Sequence, residues 1–276
     1  MTALARAARR GLGVALLLAA GLFLSGCRGT FPADGFAGRQ GFVPRVSHGA
    51  TFDLKWYLRG TGPVLRAYIE GDGKAWLNRR RPSTDPTPAE ATAFALAARD
   101  TGPAVAYLAR PCQFTNSDER RNCSPVFWTS ARFSEPVVSD LSLVLDQAMH
   151  AAGARRLQLV GFSGGGAIAL LEAARRDDVE LVVTVAGNLD HAFWTGLHRV
   201  SPLRDSLNPA DFARRLQSVD QIHIVGADDA VMPPAVVESY IGRMDDPSRV
   251  RVVTVRGVAH TDDWGPALSA VLEGLE

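Results

Sequence analysis

The stretch LVGFSGGGAIALL, residues 159–171, decides the fold of this chain. An apolar run stops at Gly161, a serine follows at position 163, and small and aliphatic residues resume after three more glycines. The residues LQLV before the turn predict a buried strand, and GGAIALLEAARR after it predicts a helix. The pattern G-x-S-x-G between them predicts a sharp turn that projects the Ser163 hydroxyl above a sheet.

The glycines around Ser163 have a steric reason. At such a turn the strand and the helix nearly collide, so Gly161 and Gly165 are expected to be there because they are small. A helix that begins at Gly164 directs its first backbone N–H groups and the positive end of its dipole toward the hydroxyl. Those groups would stabilise an anion that develops beside Ser163.

A serine hydroxyl is a weak nucleophile, so it needs a base and a carboxylate that orients the base. The segment IHIVGADDAVMPP supplies Asp229 directly after a predicted strand, with Asp228 as the alternative, although either could be a turn residue. The segment VVTVRGVAHTDDW places His260 in the loop after the last predicted strand. The sequence therefore offers candidates for a serine, acid and histidine site in that chain order, namely Ser163, Asp229 or Asp228, and His260.

These segments resemble the α/β-hydrolase family, whose acid follows a strand as G-x-x-D with an apolar pair and a proline after it. The resemblance covers roughly residues 50–276 and implies a serine hydrolase of acyl esters, of carboxylesterase or lipase type, that uses no cofactor. Thioesters, amides and short peptides remain alternatives, because the same triad serves them all. The segments YIEGDG, ARPCQF and WTSARFSE are also similar to a subgroup of secreted bacterial hydrolases and lipoproteins.

The resemblance further implies an oxyanion hole. Its second donor normally comes from the loop after an early strand, here RAYIEGDGKAW, so we expect the N–H of Asp72, or else that of Gly73, to pair with the N–H of Gly164. Where the family often has His-Gly, this chain has Glu70 and a glycine. A carboxylate there would repel an oxyanion unless it is paired, and Arg110 or Arg132 is the expected partner.

Strand-like and helix-like segments alternate from residue 51 to the end, which predicts one α/β domain over 50–276 with a doubly wound, mostly parallel sheet. Thr87, Pro88 and Glu90 fit the first turn of a helix over TPAEATAFALAARD. Residues 188–218 do not join the alternation. We expect this segment to be a small lid over a substrate pocket for a small acyl compound.

The N-terminus differs from the rest of the chain. Basic residues precede the apolar run GLGVALLLAAGLFLSG, which predicts a lipoprotein signal peptide over 1–26. The residues LSGC at its end resemble a lipobox, so Cys27 is the expected lipidation site, followed by a flexible tether over 27–49. These features imply a lipid-anchored protein of the bacterial cell envelope that faces the periplasm, with the outer membrane favoured. An ordinary signal peptide or an uncleaved anchor is the alternative.

Two cysteines remain in the predicted domain. Cys112 and Cys123 flank a polar loop, and in an oxidising compartment they are expected to form a disulfide rather than two free thiols.

Composition excludes other classes of function. With 30 basic and 29 acidic residues the net charge is +1, and no basic stripe suggests nucleic-acid binding.

His191 and His198 could share a helix face, but no further motif supports a metal site, so none is predicted. The rival hypothesis is a binding lipoprotein that kept the fold without catalysis. The oligomeric state stays open.

Overall fold

The central sheet is built from segments rich in β-branched and aromatic residues, such as VELVVTV and AVAYL. Such side chains fit a pleated surface, and runs that are apolar on both faces belong in a sheet covered on both sides. The computed structural model describes residues 31–275. The strands in that range are β1 (Val43–His48), β2 (Asp53–Gly60), β3 (Val64–Ile69), β4 (Trp76–Asn78), β5 (Arg81–Pro82), β6 (Ala104–Leu108), β7 (Arg156–Phe162), β8 (Val179–Val185), β9 (Asp220–Gly226) and β10 (Val250–Val255).

Within the described range, eight of these strands form one sheet in the order β1-β2-β6-β3-β7-β8-β9-β10, and β4 and β5 form a separate hairpin. The pairs β1-β2 and β2-β6 are antiparallel, whereas every later pair is parallel. The predicted doubly wound, mostly parallel sheet is confirmed. The carboxyl ends of the parallel strands meet at one edge, which is where ligand sites form in such sheets.

Helices cover both faces of the sheet. They are α1 (Ala33–Arg39), α2 (Thr92–Arg99), α3 (Glu135–Ala152), α4 (Gly164–Ala173), α5 (His191–His198), α6 (Ala213–Leu216), α7 (Pro234–Ile241) and α8 (Gly265–Glu273). Side chains of α3 and α4 belong to one apolar core, and those of α2 and α8 to another on the opposite face. All ten residues of α4 are buried, and all of them except Glu172 are glycine or apolar. No helix in residues 31–275 has the length and apolarity needed to cross a membrane.

The predicted tether over 27–49 is wrong for the part that the structure describes. Residues 31–48 contain α1 and β1, and the compact unit begins at Phe31 rather than at residue 50. Phe36 packs edge-on against Phe94 at 5.0 Å between ring centroids, and the Asp34 carboxylate accepts a hydrogen bond from Tyr57. Glycine and proline content suggested a linker, but the aromatic residues between them supply enough apolar surface for packing. The predicted signal peptide (1–26) and Cys27 lie outside the described residues.

The predicted start of the helix after β5 is also wrong. Thr87 does not cap a helix; its hydroxyl accepts a hydrogen bond from the backbone N–H of Phe114. The helix α2 begins five residues later, at Thr92, without a side-chain cap from its own N-cap residue. Instead, the Glu70 carboxylate accepts from the N–H of Ala93 in the first turn. A tertiary contact thus replaces the local capping signal.

The segment predicted to be a lid, residues 188–218, contains α5, a short 3-10 helix at Pro209–Phe212 and α6. The buried Asp190 holds this segment to the domain, since its carboxylate accepts hydrogen bonds from Asn208, Ser239 and Arg243. The Trp194 indole donates to the carbonyl oxygen of Val231, in the loop after β9. Residues 188–218 are therefore hydrogen-bonded to α7 and to the loop after β9, which contains Asp229.

Candidate active site

Ser163 lies between β7 and α4 in a backbone conformation that side chains rarely adopt. Its φ is 51° and its ψ is −118°. Such strain persists only where surrounding contacts enforce it. The N–H of Ser163 donates to Val185, and its carbonyl oxygen accepts from Gly166 and Asn188. These three hydrogen bonds hold the turn and leave the hydroxyl at the carboxyl edge of the sheet.

The glycines of the turn are required by close approaches. A Cβ on Gly161 would overlap the carbonyl of Gly165, and a Cβ on Gly165 would overlap the carbonyl oxygen of Ile69 in β3. A Cβ on Gly71 would lie 3.4 Å from the Cβ of Ser163, so the loop after β3 passes directly beside the serine. The steric role predicted for Gly161 and Gly165 is what the structure shows.

The structure brings together the three residues that the sequence singled out. The Ser163 hydroxyl lies 3.1 Å from Nε2 of His260, and Nδ1 of His260 lies 2.8 Å from Oδ2 of Asp229. The other carboxylate oxygen, Oδ1, accepts from the backbone N–H groups of Val231 and Met232, each at 2.8 Å. The ring of Phe162 packs against the imidazole with 5.3 Å between centroids. This arrangement is a Ser-His-Asp triad by geometry.

The charge of Asp229 is maintained despite burial. Burial by itself raises the pKa of this carboxyl, but the hydrogen bonds from His260 and from the two backbone N–H groups outweigh it and lower the pKa. The alternative acid, Asp228, is exposed and accepts from the N–H of Gly257 at 2.8 Å. Asp228 therefore acts as a turn residue, while Asp229 faces the imidazole.

The loop after β3 places Asp72 against the start of α4. A Cβ on Gly164 would overlap the Asp72 carboxylate, so that carboxylate lies close to the expected oxyanion donors. The guanidinium groups of Arg132 and Arg110 pair with it at 2.6 and 3.3 Å. Burial lowers the pKa of Arg110 to about 10, which leaves it protonated near neutral pH. Two cations for one carboxylate give a net positive charge beside the N-terminus of α4, which favours an anion there.

The expected pairing of Glu70 with Arg110 or Arg132 is wrong, because both arginines bind Asp72. Glu70 is buried, accepts from the N–H groups of Gly71 and Ala93, and accepts from the Tyr107 hydroxyl at 3.0 Å. Burial raises the pKa of Glu70, and these donors lower it only in part. The carboxyl group is thus turned away from Ser163 and into the sheet.

Gln113 holds the loop after β3 in place beside Ser163, a role that the sequence did not reveal. Its amide donates to the carbonyl oxygen of Gly71 at 3.0 Å and accepts from the N–H of Arg110, so it holds the loop beside Ser163. The predicted disulfide is present next to it, between Cys112 and Cys123. Only the unusual run ARPCQF in the sequence signalled this turn.

The two histidines considered for a metal site, His191 and His198, have different surroundings. His191 is buried against the ring of Phe133, while Nε2 of His198 lies 3.0 Å from the carbonyl oxygen of Val231. They do not form a shared face for a metal. The residues that the structure describes contain no cluster of three or more side chains of the kind that bind metal ions.

The fold and the triad define a protein of α/β-hydrolase architecture with a Ser-His-Asp site. Solved structures with this fold superpose on the chain. An esterase of Pyrococcus furiosus, Pf2001, has 11% identity and a TM-score of 0.59 over 87% of this chain and 92% of its own. XC6422 of Xanthomonas campestris, described as a serine hydrolase without a lid, has 14% identity and a TM-score of 0.55 over 90% and 97%.

A putative dienelactone hydrolase of Klebsiella pneumoniae has 18% identity and a TM-score of 0.54, over 80% of this chain and 88% of its own. At such identities the likeness establishes the shared fold. Comparison of the sequence with protein-family models and with curated proteins gives no match.

Proposed function

We propose that the chain is a serine hydrolase that cleaves acyl esters with Ser163, His260 and Asp229. The observation that carries the proposal is the strained Ser163, whose hydroxyl lies 3.1 Å from an imidazole that a buried carboxylate orients. A structural serine needs neither the strain nor the base. The structural neighbours named as esterase and serine hydrolase support the same reaction type.

In the proposed reaction, the Ser163 oxygen attacks the acyl carbon while its proton passes to Nε2 of His260. Asp229 accepts from the opposite ring nitrogen and stabilises the imidazolium that forms. The N–H groups of Gly164 and Asp72 hold the oxyanion, and each such donor is worth about 2.7–4 kcal/mol of transition-state stabilisation. The imidazolium then protonates the leaving alcohol. Water, deprotonated by the same imidazole, releases the acid and restores the serine.

The test is labelling with a fluorophosphonate probe. We expect the folded protein to be labelled and the Ser163→Ala variant not to be labelled, whereas Ser218→Ala, which removes an exposed serine, should behave as the wild type. Nitrophenyl esters of graded chain length would then separate esterase from lipase activity, and matched thioesters and anilides would reveal a different acyl specificity. A folded, disulfide-intact protein that takes up no label would favour the non-catalytic binding lipoprotein.

The proposed location is the bacterial cell envelope, with Cys27 lipidated and the domain facing the periplasm. Its support is the sequence of the first 27 residues alone. Mass spectrometry of the mature N-terminus tests it. A diacylglyceryl group on Cys27 is the expected result, and a mature chain that starts elsewhere would contradict it.

A further inference from the structure

A basic and aromatic hairpin projects from the active-site edge of the fold. It consists of residues 74–82, with the sequence KAWLNRRRP, and includes β4 and β5. Trp76 and Leu77 are 44% and 41% exposed, although large apolar side chains at a hairpin tip gain nothing from facing water. The proposed hydrolysis does not use these two side chains.

The hairpin also carries uncompensated charge. Lys74, Arg79, Arg80 and Arg81 are all exposed, and none of the described residues forms an ion pair with them. The nearest carboxylate along the chain on the C-terminal side, Asp85, pairs with Arg120. Four cations within eight residues contrast with a net charge of +1 for the whole chain. This local positive charge attracts anions.

The hairpin is held firmly at its base. The Asn78 side chain accepts from the N–H groups of Arg80 and Arg81, which fixes the turn at the tip. At the other end the N–H of Ser83 donates to Ala75, and the indole of Trp128 donates to the carbonyl oxygen of Ser83. The exposed side chains are therefore presented on a fixed backbone, which lowers the entropic cost of docking.

We propose that the hairpin 74–82 docks the domain on an anionic lipid surface. An exposed tryptophan suits the boundary between headgroups and acyl chains, and the arginines that follow it in the hairpin reach the phosphates above it. A single hairpin with two large apolar residues suits a bilayer surface better than the extended track of a nucleic acid. Since the hairpin follows the loop beside Ser163 directly, docking would turn the active-site edge toward the lipid.

The experiment uses the domain from residue 31 onward, because the N-terminal apolar run would bind membranes by itself and the structure shows one compact unit from Phe31. Sedimentation with vesicles of equal parts phosphatidylglycerol and phosphatidylcholine should retain the domain, and pure phosphatidylcholine should not. Each lipid-facing cation is worth about a fivefold change in partition coefficient, so replacing Arg79, Arg80 and Arg81 by glutamine should weaken binding about a hundredfold. Raising the salt concentration should weaken it as well.

The apolar part has its own test and control. Trp76→Ala with Leu77→Ala should weaken binding at least about tenfold and abolish a blue shift of tryptophan emission on vesicle addition. The control replaces Arg155 and Arg251 by glutamine and the exposed Val252 by alanine. These residues lie away from the active-site edge, so the control should bind as the wild type does. All variants should hydrolyse a soluble nitrophenyl ester equally, which separates this proposal from the proposed function.

Three results would overturn the proposal. The first is a folded domain that does not bind the anionic vesicles, and the second is equal binding by the hairpin variants and the control. The third is binding to polyuridylic acid as tight as to vesicles and unaffected by Trp76→Ala with Leu77→Ala, which would indicate a general polyanion site.

Discussion

Replacing Asp229 with asparagine is a sharp test of the proposed triad, because the structure dictates how the new amide would be oriented. Oδ1 of Asp229 accepts from two backbone N–H groups, those of Val231 and Met232, and Oδ2 faces Nδ1 of His260 at 2.8 Å. The asparagine oxygen would keep accepting from the two backbone N–H groups. Turning the amide would break both hydrogen bonds and place its NH2 group against those N–H donors, at a cost of roughly 2–3 kcal/mol. The amide NH2 must then face His260.

That orientation changes the tautomer of the imidazole. Nδ1 of His260 becomes an acceptor, so the proton moves to Nε2, which then faces Ser163 as a donor and cannot accept the serine proton. Loss of the correct tautomer lowers kcat about 10⁴-fold, equivalent to about 5.4 kcal/mol. KM should change little, because Asp229 is buried behind the imidazole and does not reach the substrate.

The measurement is kcat and KM with a soluble nitrophenyl ester for Asp229→Asn and for Asp228→Asn. The second variant makes the same change of charge one residue away, on an exposed carboxylate that accepts from the N–H of Gly257. We expect it to keep activity within a few-fold of the wild type. An Asp229→Asn enzyme within tenfold of the wild type would refute the assignment of Asp229, and a larger loss in Asp228→Asn would show that the wrong aspartate had been chosen.

Three further predictions concern the stability of the fold. Gly165→Ala would overlap a backbone carbonyl of β3 and should cost at least about 1–3 kcal/mol in denaturant unfolding, whereas Gly196→Ala, in open space on α5, should be neutral or stabilising. Burial raises the pKa of Glu172 from 4.5 to about 7, so its contribution to stability is full in acid and is lost as the pH rises toward 7. Glu172→Gln should therefore gain about 3 kcal/mol relative to the wild type between pH 4 and pH 8, and a pH-independent difference would contradict this. Replacing Cys112 and Cys123 by alanine should cost about 3 kcal/mol, and dithiothreitol should lower the unfolding midpoint of the wild type but not of the variant.

Local sequence sufficed for the elements whose signals lie within a few residues of one another. The turn at Ser163 needs glycines because of collisions between neighbouring residues, so the motif identified it without a structure. The alternation of strands and helices predicted the parallel sheet. The helix α3 ends at Ala152, and Gly153 follows it with a φ of 69°, a left-handed conformation that glycine permits. The loops that bring His260 and Asp229 to the same edge follow from that topology.

Other features depended on residues far apart in the sequence. Nothing near Asp72 indicates that Arg110 and Arg132 bind it, since those contacts span 38 and 60 positions. Nothing near Thr92 indicates that Glu70, at the end of β3, accepts from the first turn of α2. Long-range pairing of buried polar groups depends on which carboxylates and guanidinium groups the folded chain happens to bring together.

The N-terminal part of the domain shows the same division. Its glycines and prolines predict an irregular linker, and no short-range pattern in residues 31–48 contradicts that. Only the tertiary structure shows that β1 pairs with β2 and that the aromatic rings of Phe31 and Phe36 surround Phe94. The sequence by itself determined the turn at Ser163 and the order of elements, because local sterics and periodicity govern both. The tertiary structure alone decided which charges neutralise one another and where the domain begins, because burial and pairing are properties of the whole fold.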